Sequence, residues 1–223
     1  MKKLMPLLLL IFPYFLFGQF GIKAGINFAN VTNGASINNS SQSGFHAGVF
    51  LSPPTKKIIS SKTELIFSRQ GYNYKTNTNT GNVNLDYIML PQYMAINITR
   101  FAQIHIGAQM AFLISAKVDS STGTGTSGPE SGIMDLYNRF DYGYGGGLEI
   151  YPISGLIIGA RLNVFLGDLY KDLSTTEPGS TPSFVPEVNV SNNLFQIYVG
   201  WKFGGNKKEK KEKKEKEEEK KEK

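Results

Sequence analysis

The chain has no cysteine. That one absence excludes disulfide staples, thiolate metal sites, a cysteine nucleophile and a lipid-modified N-terminal cysteine. It has one tryptophan and two histidines, a thin supply for an imidazole-built metal centre. After Phe17 no apolar run approaches the roughly 20 residues a spanning helix needs, so this chain would cross a membrane only as strands. Charge imbalance is also missing from the body. Of the formal net charge of +6, Lys2 and Lys3 belong to the N-terminal segment, and 207–223 contributes ten Lys against seven Glu, or +3. Residues 19–206 hold 12 basic and 11 acidic side chains. With no basic stripe to follow a phosphate backbone, nucleic-acid binding is set aside.

What the chain does have begins with an export pattern. Lys2 and Lys3 precede a 14-residue apolar run from Leu4 to Phe17 that contains Pro6 and Pro13. The run is too short for a spanning helix, and a small residue, Gly18, follows it, so 1–18 reads as a secretory signal with Gln19 first in the mature chain. At the other end, 206–223 is a Lys/Glu low-complexity tail. Pairs such as Glu212–Lys216, Glu217–Lys221 and Glu219–Lys223 add about a few tenths of a kcal/mol each to a helix. The segment is too short to be firmly helical alone. It is expected to be a solvated tail, with a periplasmic tether to an envelope partner as the sharper alternative.

Between these ends, 19–205 alternates apolar with small or polar residues in eight stretches. Side chains of a strand point to opposite faces with period two, so such stretches build a sheet with one apolar and one polar face. The first, about 19–30, sets Phe20, Ile22, Ala24, Ile26 and Phe28 against Gly21, Lys23, Gly25 and Asn27. The others are expected at about 43–52, 57–72, 84–98, 103–118, 137–152, 156–168 and 191–204. In the fourth, Pro91 cannot donate a ladder hydrogen bond and is expected to mark a bulge. In the fifth, Ile104, Ile106, Ala108, Met110, Phe112, Ile114, Ala116 and Val118 read as unbroken alternation. Connections after strands one, three, five and seven are long and polar, including 73–83, 119–136 and 169–190; those after two, four and six are a few residues.

Eight antiparallel strands with long loops at one end and short turns at the other follow the pattern of an outer-membrane barrel. Eight strands leave an interior only wide enough for side chains. The set rich in Gly, Ser, Asn and Gln fits that interior; the set carrying Phe, Ile, Leu and Trp is expected to face lipid. Phe20, Phe28, Tyr87, Tyr142, Tyr151, Trp201 and Phe203 fall near strand ends, where aromatic girdles sit. The fold class read from these features is all-β, an eight-stranded antiparallel up-and-down transmembrane β-barrel with a disordered or transiently helical charged tail.

Several stretches carry a resemblance. Phe20-Gly-Ile-Lys-Ala-Gly-Ile-Asn-Phe28, Glu64-Leu-Ile-Phe-Ser-Arg-Gln-Gly71, Asp86-Tyr-Ile-Met-Leu-Pro91, Phe140-Asp-Tyr-Gly143 and Ala160-Arg-Leu-Asn163, in that order, resemble strands one, three, four, six and seven of the Bacteroidetes outer membrane β-barrel family often called PorT-like. The resemblance spans about 19–204 and implies the eight-stranded fold; it implies little about activity, although one namesake group is associated with type IX secretion. Phe203 stands where such barrels end, and here 20 residues follow it.

Candidate sites are few. Gly143-Tyr-Gly-Gly-Gly147 lacks the following helix that a phosphate cradle needs and reads as interior glycines relieving crowding. His46 and His105 share the inward set with Glu64 and Asp141, but no four-ligand set is evident, and no Ser-His-acid spacing stands out. Catalytic, cofactor-binding and metal residues are therefore all expected to be none. Lys23, Glu64, Asp141, Glu149, Arg161 and Lys202 all fall inward, and buried charges survive only when paired; an interior salt-bridge network that plugs the lumen is expected. The expected role is structural or interactive, through long extracellular loops, in a monomer surrounded by outer-membrane lipid and lipopolysaccharide, with no cofactor. The alternatives are a narrow porin, an outer-membrane enzyme of the lipid-modifying or protease kind, which would need an acid/base cluster at the loop rim that the sequence does not show, an accessory subunit of a type IX-like secretion machine, and a soluble ligand-binding barrel.

Overall fold

The computed structural model describes residues 19–31, 40–52, 58–75, 80–120, 133–171 and 191–203. The expected signal 1–18, the tail 206–223 and much of the long connections lie outside the described residues. The strands are β1 (Gln19–Val31), β2 (Ser40–Ser52), β3 (Ile59–Lys75), β4 (Thr80–Asn97), β5 (Ala102–Ser120), β6 (Phe140–Ile150), β7 (Leu156–Phe165) and β8 (Asn192–Lys202); one helical turn, α1 (Ile133–Leu136), lies between β5 and β6. Each strand pairs antiparallel with the next, and β8 closes on β1 from Gly21↔Lys202 to Val31↔Asn192. The closed up-and-down barrel expected from the alternation is the observed fold. Closure leaves no sheet edge along the paired length, so the backbone is satisfied without water.

The faces divide by parity. On β1, Phe20, Ile22, Ile26 and Phe28 are exposed on the outer wall while Lys23 and Asn27 are buried inside. On β5, Ile104, Ile106, Met110 and Phe112 face out, and Gln103, His105 and Gln109 face in. The fifth strand departs from its expected unbroken alternation. Its register against β4 moves from Asp86↔Ser115 to Tyr87↔Leu113, which leaves Ile114 as an extra residue. A bulge of one residue inverts the phase beyond it, so Ala116 is buried inside and Val118 packs on the inner core. The bulge expected at Pro91 is not there. The β3–β4 register is the same on both sides of it, Thr63↔Gln92 and Ile66↔Met89, and Pro91 keeps its place opposite Gln109. A missing N–H removes a donor without adding a residue, so it does not shift the ladder.

The expected loop 73–83 is mostly strand: β3 runs to Lys75 and β4 begins at Thr80. Tyr72, Tyr74, Val83 and Leu85 alternate inward there and supply the reason. Outer aromatics form two belts. Phe28–Phe195, Phe45–Phe67 and Phe112–Phe140 lie 6.2, 5.8 and 5.2 Å apart toward the long-loop end, and Phe20–Phe203 6.0 Å apart toward the short-turn end. Beyond the upper belt the wall turns polar. Arg69 forms a bidentate pair with Asp86 at 2.7 and 2.8 Å, and Asn84 donates to Asn82 at 3.0 Å and to Asp119 at 3.3 Å. Two residues expected in the girdles are elsewhere: Tyr87 is buried inside, and the Tyr151 hydroxyl turns into the lumen, 2.7 Å from Glu149 Oε2.

The turn between β6 and β7 needs a glycine. Gly155 has φ of +93°, and a Cβ there would meet the Trp201 ring at 3.0 Å. Gly155→Ala is expected to lower the unfolding free energy by about 1–3 kcal/mol, read by urea titration of the detergent-folded barrel using Trp201 fluorescence.

Candidate functional site in the lumen

The parity that turns apolar residues outward drives charged ones inward, onto one level of the barrel. Glu64 on β3 is the hub. Its Oε2 accepts from Lys23 Nζ of β1 at 2.6 Å and from Arg161 Nη1 of β7 at 2.9 Å, and Lys62 Nζ lies 3.5 Å from its Oε1. Lys62 also pairs with Glu149 Oε1 of β6. Glu149 accepts the Tyr198 hydroxyl at 2.8 Å. All five charged side chains are at most 2% exposed. Aromatic rings cover the cations: Lys23 lies 4.3 Å from the centre of Tyr198, Lys62 4.4 Å from Phe50, and Arg161 4.8 Å from Tyr93. Cations over ring faces gain most when both are desolvated.

An amide layer continues the network toward the long-loop end. Asn27 Nδ2 donates to Ser68 Oγ at 2.9 Å, and Asn27 Oδ1 accepts from Gln196 Nε2 at 2.9 Å. His46 Nδ1 is 2.7 Å from the same Asn27 oxygen. Gln196 Oε1 accepts from Asn163 at 2.9 Å and from Arg161 Nε at 3.1 Å, which joins the amides to the ions. Asn192 Nδ2 donates to Gln70 Oε1 at 2.5 Å.

Apolar groups lie on both sides of these polar layers. Toward the short turns, Phe50, Ile157 and Tyr198 cluster, with Tyr151 against them. Toward the long loops the cluster is larger and includes Tyr72, Leu85, Tyr87, Leu113, Phe165 and Tyr170. Tyr137 and Tyr170 pair their backbones just beyond the β6–β7 ladder, and their hydroxyls lie 3.4 Å apart; the Tyr170 hydroxyl also bonds that of Tyr72 on β3. Burial pushes the Tyr137 phenol up to about 12 and the Tyr170 phenol well above its ordinary value, so both stay protonated donors. The expectation of small and polar residues inside therefore holds for the middle of the lumen and fails on either side of it.

Of the six charges expected to meet, Lys23, Glu64, Glu149 and Arg161 do. Asp141 is apart, its Oδ1 accepting from the backbone N–H of Tyr142 at 2.7 Å and Gly167 at 3.0 Å. Lys202 is half-buried at the end of β8. Lys62 was not anticipated, although its two-residue spacing from Glu64 marks it as inward. His46 faces Asn27 and Tyr198 on one side of the barrel, and His105 faces Tyr93 on another; they are not brought together. Among the described residues no three His, Asp or Glu side chains are placed to share a metal ion. Gly143, Gly145 and Gly147 lie within β6 on its inner face, where added Cβ atoms would strike β7 or the Asn163 side chain.

Removing the hub leaves two buried cations, Lys23 and Arg161, without a carboxylate, and Lys62 with Glu149 alone. Glu64→Ala is expected to cost about 3–5 kcal/mol, whereas Asp86→Ala, which breaks a pair whose Arg69 side chain is 40% exposed, should cost about 0–1 kcal/mol. Urea unfolding of both variants in the same detergent checks the contrast.

Residues 17–171 match the family model described as outer membrane protein beta-barrel domain. No curated protein sequence matches. Among solved structures the chain is similar to Ail, the attachment invasion locus protein of Yersinia pestis, at 13% identity and a TM-score of 0.45, covering 83% of this chain and 99% of that one. It is also similar to OprG from Pseudomonas aeruginosa, at 10% identity and a TM-score of 0.45 over 84% and 97% of the two chains. A third is Neisserial surface protein A, at 13% identity and a TM-score of 0.45 over 82% and 97%. With its family match covering more than half its length, this chain belongs to the outer membrane protein beta-barrel domain family, and its place is the outer membrane.

Proposed function

We propose that this is a non-conducting outer-membrane barrel whose work is done at its surface, through the wall and loops on the long-connection side, and that it is not an enzyme. The observation that carries the reading is the layering of the lumen. Five charged side chains are bound to one another in the middle of the barrel, with apolar clusters on either side. An ion crossing it would have to displace Lys23, Lys62 or Arg161 from a carboxylate in a low-dielectric interior, where breaking one such pair costs about 3–5 kcal/mol. The long connections, with β3–β5 continuing past the upper aromatic belt, face the cell exterior in this reading, and the short turns face the periplasm. The resemblance of strands one, three, four, six and seven favours a PorT-like barrel of the Bacteroidetes type, monomeric in lipid and lipopolysaccharide, with a role in interaction or envelope structure.

Single-channel recording in planar bilayers tests it. The purified barrel should insert without steady conductance, while Glu64→Ala, which takes the carboxylate from Lys23 and Arg161, should show flickering openings if it inserts. A steady open level in the unaltered protein overturns the reading and favours a narrow porin.

A further inference from the structure

We propose that the lumen holds a small monovalent anion, of halide size, between His105 and Arg161. His105 pairs with Gly147, and Gly147 with Arg161. The two side chains thus flank, on one rung, a residue that has none. Both approach the same ring: the centres of His105 and Tyr93 are 5.1 Å apart, and Arg161 Cζ is 4.8 Å from the Tyr93 centre. Tyr93 pairs with Gly107, the next inward position along β5 from His105, and its hydroxyl donates to Asn163, the next inward position along β7 from Arg161. Tyr93, one inward level further along, thus touches both side chains, His105 edge to ring and Arg161 over the ring.

Three buried nitrogens in this interval have no hydrogen-bond partner: Arg161 Nη2 and both ring nitrogens of His105. Each residue is only 1% exposed. Arg161 Nη2 is a donor and His105 carries at least one N–H, and buried polar atoms without partners are costly, so something fills the need. Charge selects what. The ion cluster has three cations, Lys23, Lys62 and Arg161, against two carboxylates, Glu64 and Glu149. The third buried carboxylate that faces the lumen, Asp141, is six residues along β6 from Gly147, about 20 Å away at strand rise, and is bound to backbone amides. Lys202 at the rim adds to the excess. Water would satisfy the donors and leave a net positive charge buried. A single anion accepts from Arg161 Nη2–H and from a His105 N–H, and cancels that charge as well. A metal cation is disfavoured by the guanidinium that faces it.

Two measurements on the mature, detergent-folded barrel test the site. Crystals grown or soaked in bromide should show an anomalous peak within hydrogen-bonding distance of Arg161 Nη2 and His105. In solution, chloride should stabilise the barrel saturably relative to gluconate at equal ionic strength. The unfolding equilibrium should fall about 100-fold at a chloride concentration 100 times its dissociation constant. His105→Phe, which leaves every ion pair in place and fills the interval, should abolish the difference between the two salts. The inference is overturned by water alone at the position, by a bromide peak without a saturable chloride effect in solution, or by equal stability in both salts with no peak. The wild-type arms decide the matter even if the variant fails to fold.

Discussion

The Glu64 carboxylate ties together walls that the sheet itself leaves independent. Ladder hydrogen bonds join each strand only to its neighbours. Glu64 on β3 reaches Arg161 on β7, four strands away in a ring of eight, and Lys23 on β1; through Lys62 it reaches Glu149 on β6. The contact with Arg161 spans the diameter, and the others link strands two and three places apart. They set how far the barrel can flatten, and they work because the lumen excludes the water that would weaken them. Buried ions without partners would be strongly destabilising, so the arrangement is one in which each member depends on the others being present.

The rest of the fold follows from having two solvents. Lipid outside accepts Ile, Leu and Phe and rejects an unpaired backbone group, so the strands must close. Closing eight of them leaves a bore that side chains fill, and the inward parity then decides which side chains those are. Above the upper aromatic belt the outer wall no longer meets lipid, and the wall turns polar there: Arg69, Asp86, Asn84 and Asp119 lie outside while Tyr72, Leu85 and Leu113 lie inside. The Ile114 bulge lies at this change. By inverting the phase of β5, it turns Ala116 and Val118 from the outer wall to the inner core. In this stretch the barrel has the ordinary architecture of a water-soluble one, apolar within and polar without.

That change of solvent explains which parts of the structure were legible in the sequence. Strand number, pairing order and the lipid-facing set could be read from period-two alternation because one rule governs the whole spanning belt. Lys23, Glu64, Glu149 and Arg161 could be read as a group because they share the parity opposite to Phe and Ile. The region above the belt follows a different rule: 73–83 reads as loop because Asn and Thr are frequent there, although Tyr72, Tyr74, Val83 and Leu85 keep the alternation. Tyr87 looked like a girdle residue because nothing local says that the apolar face has moved inside. The orphaned donors at His105 and Arg161 were not legible at all, since they depend on Gly147 pairing with both, which is a property of register and not of spacing.

The absence of cysteine makes the central claim, apolar face in lipid and charged face within, directly measurable. Single cysteines placed in turn from Gln103 to Val118 on β5 can carry a nitroxide without background labelling. In reconstituted bilayers, collision with oxygen should be high at 104, 106, 110 and 112 and low at 103, 105 and 109, with the phase inverted beyond 114 and collision with a water-soluble nickel chelate rising there. An alternation of opposite phase through the belt, or uniform access of the chelate along the strand, would contradict it.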